Sequence, residues 1–321
     1  MLHAVPSPSA ASEADFLAES ERALTAVCAR LSSIVLGKLE AVRVAVACLI
    51  AEGHLLIEDA PGLGKSTLAV ALARAFGLDY TKVACTNDLL PSDLLGLSVW
   101  DPEARTMRFV PGPIFTQVLL ADELNRAPSK TQSALLEAME ERRVSVDGLT
   151  RALPEPFFVI ATQNPLDQVG VSPLPESQLD RFMMRLSLGY PDAQAELALL
   201  RKGDQRAQAQ ALSALLSPSA LAALQRRAAS LYVAEPVLHY VHALLSASRQ
   251  GMTRPLSPRA GLALLRAARA WALLNGRDHV LPDDVQAVWT PVVSHRLGST
   301  HDGPARGAEL ARGLLESVAA P

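Results

Sequence analysis

Glu58-Asp59-Ala60-Pro61-Gly62-Leu63-Gly64-Lys65-Ser66-Thr67 is the stretch whose reading decides the fold; it follows the apolar run Leu55-Leu56-Ile57 and opens a helical stretch, Leu68 to Ala75. A strand that turns through glycines into a helix aims its free backbone N–H groups, and the positive end of the helix, at one spot. Gly62 and Gly64 let the backbone curl there, so Ala60 to Thr67 reads as a cradle for phosphate. Lys65 is placed to reach β- and γ-phosphates, and the Ser66 hydroxyl to meet Mg²⁺. The general P-loop pattern has Gly at position 59, where this chain has Asp. Asp tolerates the left-handed backbone better than most residues, so the departure is small.

A phosphate cradle of this kind needs a second acidic element, and Val118-Leu119-Leu120-Ala121-Asp122-Glu123 supplies one. Strand ends gather at one edge of an open α/β sheet, so Asp122 can face the cation held by Ser66. Glu123 can polarise a water for attack on the γ-phosphate. Asn164 follows the apolar run Phe157 to Ala161, where its amide can orient that water; outside this context it reads as a turn residue. Arg181, in Gln178-Leu179-Asp180-Arg181-Phe182, either pairs with Asp180 or stabilises phosphate charge. Arg259 sits in the first turn of a helix that Ser257 caps and Pro258 opens. A cation there opposes the helix dipole, which points to an external anion.

Further out, short apolar runs alternate with helical stretches from about 54 to 190, including Tyr80 to Ala84 and Phe182 to Leu188. Such alternation predicts a parallel sheet covered on both faces. Two hairpins interrupt it. Asp147-Gly148 between Val144-Ser145-Val146 and Leu149-Thr150-Arg151 is a two-residue turn signal, and Leu97 to Trp100 faces Met107 to Val110 across a polar stretch. After Pro191 the chain is rich in Ala, Leu and Arg, with Pro236, Pro258 and Pro282 just inside helix starts. The expected organisation is a flexible tail over 1–15, an α/β nucleotide-binding domain over 16–190 and an all-helical domain over 191–321.

The 321 residues are 49% hydrophobic and 20% charged, with a formal net charge of −3. Those values describe a globular chain and exclude disorder, collagen-like repeats and coiled coil for its bulk. No stretch reaches the ~20 apolar residues that span a bilayer, and the acidic first twenty residues do not read as a signal peptide, so no membrane insertion is expected. Cys28, Cys48 and Cys85 are odd in number and lack CxxC spacing, which argues for a reducing cytoplasm.

Taken together, the order of these elements resembles an AAA+ ATPase of the MoxR family. Besides the phosphate stretch, the resemblance rests on Asp122-Glu123-Leu124-Asn125-Arg126-Ala127-Pro128, Lys130 to Glu140, Ala161-Thr162-Gln163-Asn164-Pro165, Leu174 to Phe182 and Ser257-Pro258-Arg259-Ala260. It implies an α/β AAA+ P-loop NTPase fold with a parallel sheet and β-hairpin insertions, plus a smaller all-α lid. It further implies ATP/ADP and Mg²⁺ as cofactors, with Asn164 as sensor 1, Arg181 as an arginine finger acting on a neighbour's nucleotide and Arg259 as sensor 2. Val35-Leu36-Gly37-Lys38 matches the stretch that borders adenine. Family members are associated with hexameric rings that remodel or mature protein clients, often with von Willebrand factor A domain proteins. A nucleic-acid motor or restriction-type NTPase is the alternative, kept alive by Arg142, Arg143 and Arg151; acidic net charge and few aromatics argue against it. A scaffold with negligible turnover is a third reading, and intact Glu123 and Arg181 argue against that.

Overall fold

Short runs of branched and aromatic residues, too brief for stable helices and bounded by turns, fold here as strands. The computed structural model describes residues 10–164, 174–250, 254–297 and 303–321. Its strands are β1 (Leu55–Glu58), β2 (Tyr80–Ala84), β3 (Gly96–Asp101), β4 (Thr106–Pro111), β5 (Val118–Asp122), β6 (Arg143–Val146), β7 (Leu149–Ala152), β8 (Phe158–Gln163), β9 (Met184–Leu186), β10 (Tyr232–Val233) and β11 (His279–Val280). Five of them form one parallel sheet in the order β2-β5-β8-β1-β9. Leu55 to Ile57, Val118 to Ala121 and Phe158 to Ala161 are buried throughout, as strands covered on both faces must be.

Register decides what the sheet presents. Glu58 lies level with Gln163, Ala121 with Ala161 and Ala84 with Asp122, so β1, β2, β5 and β8 all end at the same edge. The expected hairpins form from β3 with β4 and from β6 with β7. Asp147 (φ 54°) and Gly148 (φ 73°) are both left-handed, the backbone a two-residue turn of the primed type requires. At the base of the first hairpin a Cβ on Gly96 would fall 2.4 Å from the Val110 carbonyl oxygen, so only glycine lets those backbones meet.

The C-terminal part is built from helices, among them Pro218–Ser230, Glu235–Arg249, Pro258–Leu274 and Pro282–Leu297, with proline opening the first, third and fourth. Two expectations need correction. The segment from Ala10 lies in the helix Ala10–Ile34 rather than in a tail, because Ala, Ser and Glu there are compatible with a helix whose later turns bury Leu24, Val27 and Leu31; residues 1–9 of the expected tail lie outside the described residues. The part expected to be all helical also holds β10 and β11, which leave neighbouring helices side by side and pair in parallel at Tyr232↔His279 and Val233↔Val280. One hydrophobic cluster runs from Leu24 through the sheet face to Trp289 and Leu314, so the helical part shares its core with the α/β part.

His54 shows how tightly the start of β1 is fixed. The Val159 N–H donates to its Nδ1 (3.0 Å), so the proton sits on Nε2, which donates to the Met139 carbonyl oxygen (3.2 Å). Burial pushes the ring's pKa down from 6.5 to about 4. Between those values the unfolded chain holds the extra proton, so stability is retained above pH 6.5 and falls as pH drops toward 4. Buried His295 is depressed for the same reason and adds to the loss. Unfolding midpoints recorded across pH 4 to 7 should fall on the acid side; a His54→Gln variant with an unaltered slope would show that this ring does not contribute.

Candidate functional site

Gly62 (φ 84°) and Gly64 (φ 90°) both adopt the left-handed backbone, and the space where a Cβ would stand at either is open for 4 Å. Gly64 is the N-cap of the helix Lys65–Ala75 and offers no side chain, so the first helical N–H groups face the cleft without a side-chain cap. Lys65 is buried, its ammonium folded back on the carbonyl oxygens of Asp59 (2.5 Å) and Ala60 (3.1 Å). Around this turn lies a cleft of about 810 Å³. Pro61 to Thr67, Asp122 and Glu123 form one wall; Val35, Leu36 and Lys38 form another, and Gly189 to Pro191 with the helix Ala193–Lys202 close the third. A volume of that size suits a nucleotide.

The acidic edge is organised by one hydroxyl. Thr162, fully buried, donates from Oγ1 to Asp122 Oδ1 (2.7 Å) and accepts from the Glu123 N–H (2.9 Å). Glu123 itself holds a left-handed backbone (φ 58°, ψ 48°), a conformation that costs a non-glycine residue about 1 kcal/mol. The Glu123 carboxylate is half-exposed and paired with Arg126 Nε (2.9 Å). Asp122 Oδ2 meets the Lys82 ammonium (2.6 Å), which also reaches Ser66 Oγ at 3.5 Å. Burial raises the Asp122 carboxyl, but the bonds from Lys82 and Thr162 outweigh it and hold the pKa below the usual value. An ammonium between Ser66 and Asp122 marks a seat for positive charge, and a hydroxyl with one carboxylate is the donor set a Mg²⁺ shared with phosphate uses. The expected metal pair therefore fits that ion.

Four expected residues, Asp59, Ala60, Gly37 and Asn164, stand behind the cleft rather than in its wall. Asp59 is not left-handed; its buried carboxylate instead accepts from Ser187 Oγ (2.7 Å), the Gly189 N–H (3.1 Å) and the Leu188 N–H, tying the turn to the segment that leads into the helical part. Ala60 contributes the carbonyl that holds Lys65. Gly37 packs where a Cβ would fall 2.8 Å from Ala195 Cβ. Asn164 is buried directly after β8, between the ends of β5 and β1 in the strand order, and is not part of the cleft lining.

Arg181 and Arg259 lie elsewhere. Both are ion-paired with Glu140, Arg259 at 2.7 Å, and both line a separate cavity of about 370 Å³ with Asp180 and Arg296. That cavity shares no residue with the nucleotide-sized cleft. Arg296 takes up Asp180 at 2.7 Å, so Asp180 is not the main partner of Arg181. Sequence reasoning missed Lys82, the Thr162 hydroxyl as a hub, and the Gly189 to Pro191 wall. A lysine two positions before the end of an otherwise uncharged strand was the available signal for the first.

A family model described as "ATPase family associated with various cellular activities (AAA)" matches residues 54–184, and an AAA lid domain model matches 247–312. The uncharacterized protein YeaC of Bacillus subtilis is 38% identical over 91% of this chain and 92% of its own. Chaperone MoxR1 of Mycobacterium tuberculosis is also 38% identical, over 90% of this chain and 79% of its own. A crystal structure from Cytophaga hutchinsonii, described as a candidate ATPase, superimposes with TM-score 0.86 at 31% identity, covering 97% of this chain and 98% of the other.

Asp59→Ala strips the acceptor from Ser187, Leu188 and Gly189. Leaving buried donors unpaired costs about 1 to 3 kcal/mol for each group fully desolvated, so denaturant unfolding should show a loss of about 2 to 4 kcal/mol. Asp59→Gly, which restores the general turn pattern, should lose as much. A glycine variant as stable as the parent would mean that the carboxylate holds nothing.

Proposed function

The chain belongs to the MoxR family of AAA+ ATPases, and from that membership we propose that it hydrolyses ATP with Mg²⁺ as a ring and couples the hydrolysis to the remodelling of a protein client. The observation that carries the reading is the convergence of Lys65, Ser66, Asp122 and Glu123 on one cleft. Backbone N–H groups from Gly62 to Ser66 hold phosphate oxygens, and Lys65 leaves its loop carbonyls for the β- and γ-phosphates. Mg²⁺ beside Ser66 and Asp122 would neutralise charge on the same oxygens. Glu123, once released from Arg126, takes a proton from the attacking water, and Asn164 orients that water from the end of β8.

Arg181 and Arg259 serve a neighbour's nucleotide in this proposal. Their shared position on Glu140, away from the chain's own cleft, supports a role across a subunit boundary for both. A hexamer is the assembly suggested by family resemblance, and a von Willebrand factor A domain protein is the partner suggested in the same way. The chaperone name of the mycobacterial relative supports a protein client, and the proposed workplace is the cytoplasm. Against the nucleic-acid reading stands the engagement of its three arginines within the chain: Arg142 pairs with Glu52 (3.0 Å), Arg143 with Glu141 (2.8 Å), and Arg151 lies 3.8 Å over the Phe109 ring.

Binding and chemistry separate in two variants. Lys65→Ala should bind ATP far more weakly, because a charge-assisted contact to phosphate is lost. Glu123→Gln should bind ATP as the parent does and turn it over ~10² to 10⁴-fold more slowly, the usual contribution of a general base. Equilibrium nucleotide titration with a phosphate-release assay reads both; parental turnover in Glu123→Gln would remove this residue from the chemistry.

Subunit mixing tests the arginines. Arg181→Ala and Arg259→Ala should each bind ATP yet be nearly inactive alone, since a cation supplied in trans is worth ~10³ to 10⁵ in rate. Adding inactive Lys65→Ala subunits should restore turnover to either, because an intact cleft then receives the missing arginine from its neighbour. Mixed rings that never regain activity would place that arginine in its own chain's site.

A further inference from the structure

Lys82 belongs to no part of the expected machinery, yet it stands at its centre. It lies on β2 level with Leu120 of β5, and Ala84 two residues on lies level with Asp122. Residues 82 and 84 share a face of the sheet, so a side chain at 82 must run along the strand by about two residues, near 7 Å, to meet the carboxylate. The four-carbon stem of lysine spans that distance. Its ammonium ends 2.6 Å from Asp122 Oδ2 and 3.5 Å from Ser66 Oγ. The other carboxylate oxygen, Oδ1, is already engaged by Thr162. The oxygen covered by Lys82 is thus the one Asp122 has left to offer.

We propose that Lys82 reserves the cation seat: in the nucleotide-free protein its ammonium excludes free divalent metal, so that metal enters only together with nucleotide. This inference rests on the reading of Ser66 and Asp122 as the metal pair. Two like charges within a few ångströms in a partly desolvated cleft repel strongly, and a bare divalent ion brings nothing to offset the displacement of Lys82. A metal–nucleotide complex does, since its phosphates carry the negative charge that lets both cations stay. Lys82 is 43% exposed, so the stem is free to swing aside, and its ammonium can then turn from Asp122 to a phosphate oxygen. The chain thereby avoids a state in which metal fills the acidic edge while the phosphate cradle is empty.

The probe is Mn²⁺ alone, followed by electron paramagnetic resonance on nucleotide-free protein, with ATP added in a parallel series. Wild type should bind free Mn²⁺ weakly, and Lys82→Met should bind it at least about tenfold more tightly, as removal of a neighbouring unit charge predicts. Lys82→Gln should show the same gain, Lys82→Arg should not, and Asp122→Asn added to Lys82→Met should abolish it. With ATP present, wild type should bind Mn²⁺ tightly. Equal free-metal affinity in wild type and Lys82→Met, or a gain that survives Asp122→Asn, would overturn the proposal while leaving the nucleotide reading intact. Failure of wild type to bind Mn²⁺ even with ATP would overturn the nucleotide reading, and this inference with it.

Discussion

The hydroxyl of Thr162 holds the two acidic residues of the cleft in one arrangement, and the rest of the site depends on it. One oxygen donates to the Asp122 carboxylate and accepts from the Glu123 backbone. It can do both because β5 and β8 run parallel in a register that brings Asp122 level with the end of β8, and because both strands are buried on both faces, so that slipping by one residue would exchange every side chain between two separately packed layers. The left-handed backbone at Glu123 is strain that this register sustains. Core packing at Leu119, Leu120, Val159 and Ile160 is therefore not separate from the chemistry; it sets where two carboxylates point.

A second dependence runs from the phosphate turn into the helical part. Asp59 replaces the glycine of the general pattern, and its carboxylate gathers the chain at Ser187, Leu188 and Gly189. The residues that follow, Tyr190 and Pro191, form a wall of the cleft, and Lys38 on the opposite wall donates to the Tyr190 carbonyl at 2.7 Å. Any change in the turn is felt directly by the segment that carries the helices. Because those helices share one hydrophobic cluster with the sheet, the response has a stiff path rather than a loose linker.

Much of this was legible in the sequence because it depends on local rules. Glycines at 62 and 64, an apolar run ending in Asp122-Glu123 and a turn pair at Asp147-Gly148 each fix their own backbone, and each forms as expected. What escaped depends on neighbours distant in sequence. Lys82 reads as a stray cation in a strand until β2 is laid beside β5. Asp59 reads as a tolerated glycine substitute until residues 187–189 arrive across 128 to 130 positions. The start of the first helix at Ala10 escaped for a different reason, since Ala and Ser suit both a frayed end and a first turn until the buried stripe further along is counted.

Charge placement explains why the two arginines need a second chain in the proposed mechanism. In the nucleotide cleft, Lys65 rests on backbone carbonyls, Lys82 on Asp122 and Arg126 on Glu123, so each anionic group of the acidic edge already has a cation of its own. Arg181 and Arg259 have no unpaired carboxylate there to draw them in. They are held instead by Glu140, which both contact, and Arg259 also lies 3.8 Å from Asp180, the carboxylate that Arg296 takes up at 2.7 Å. Two carboxylates, Glu140 and Asp180, cannot neutralise the three guanidinium groups of Arg181, Arg259 and Arg296, so the cluster keeps a net attraction for anions on a partly exposed face. A triphosphate presented by an adjoining subunit carries the charge that this face lacks, whereas the chain's own cleft opens among different residues altogether.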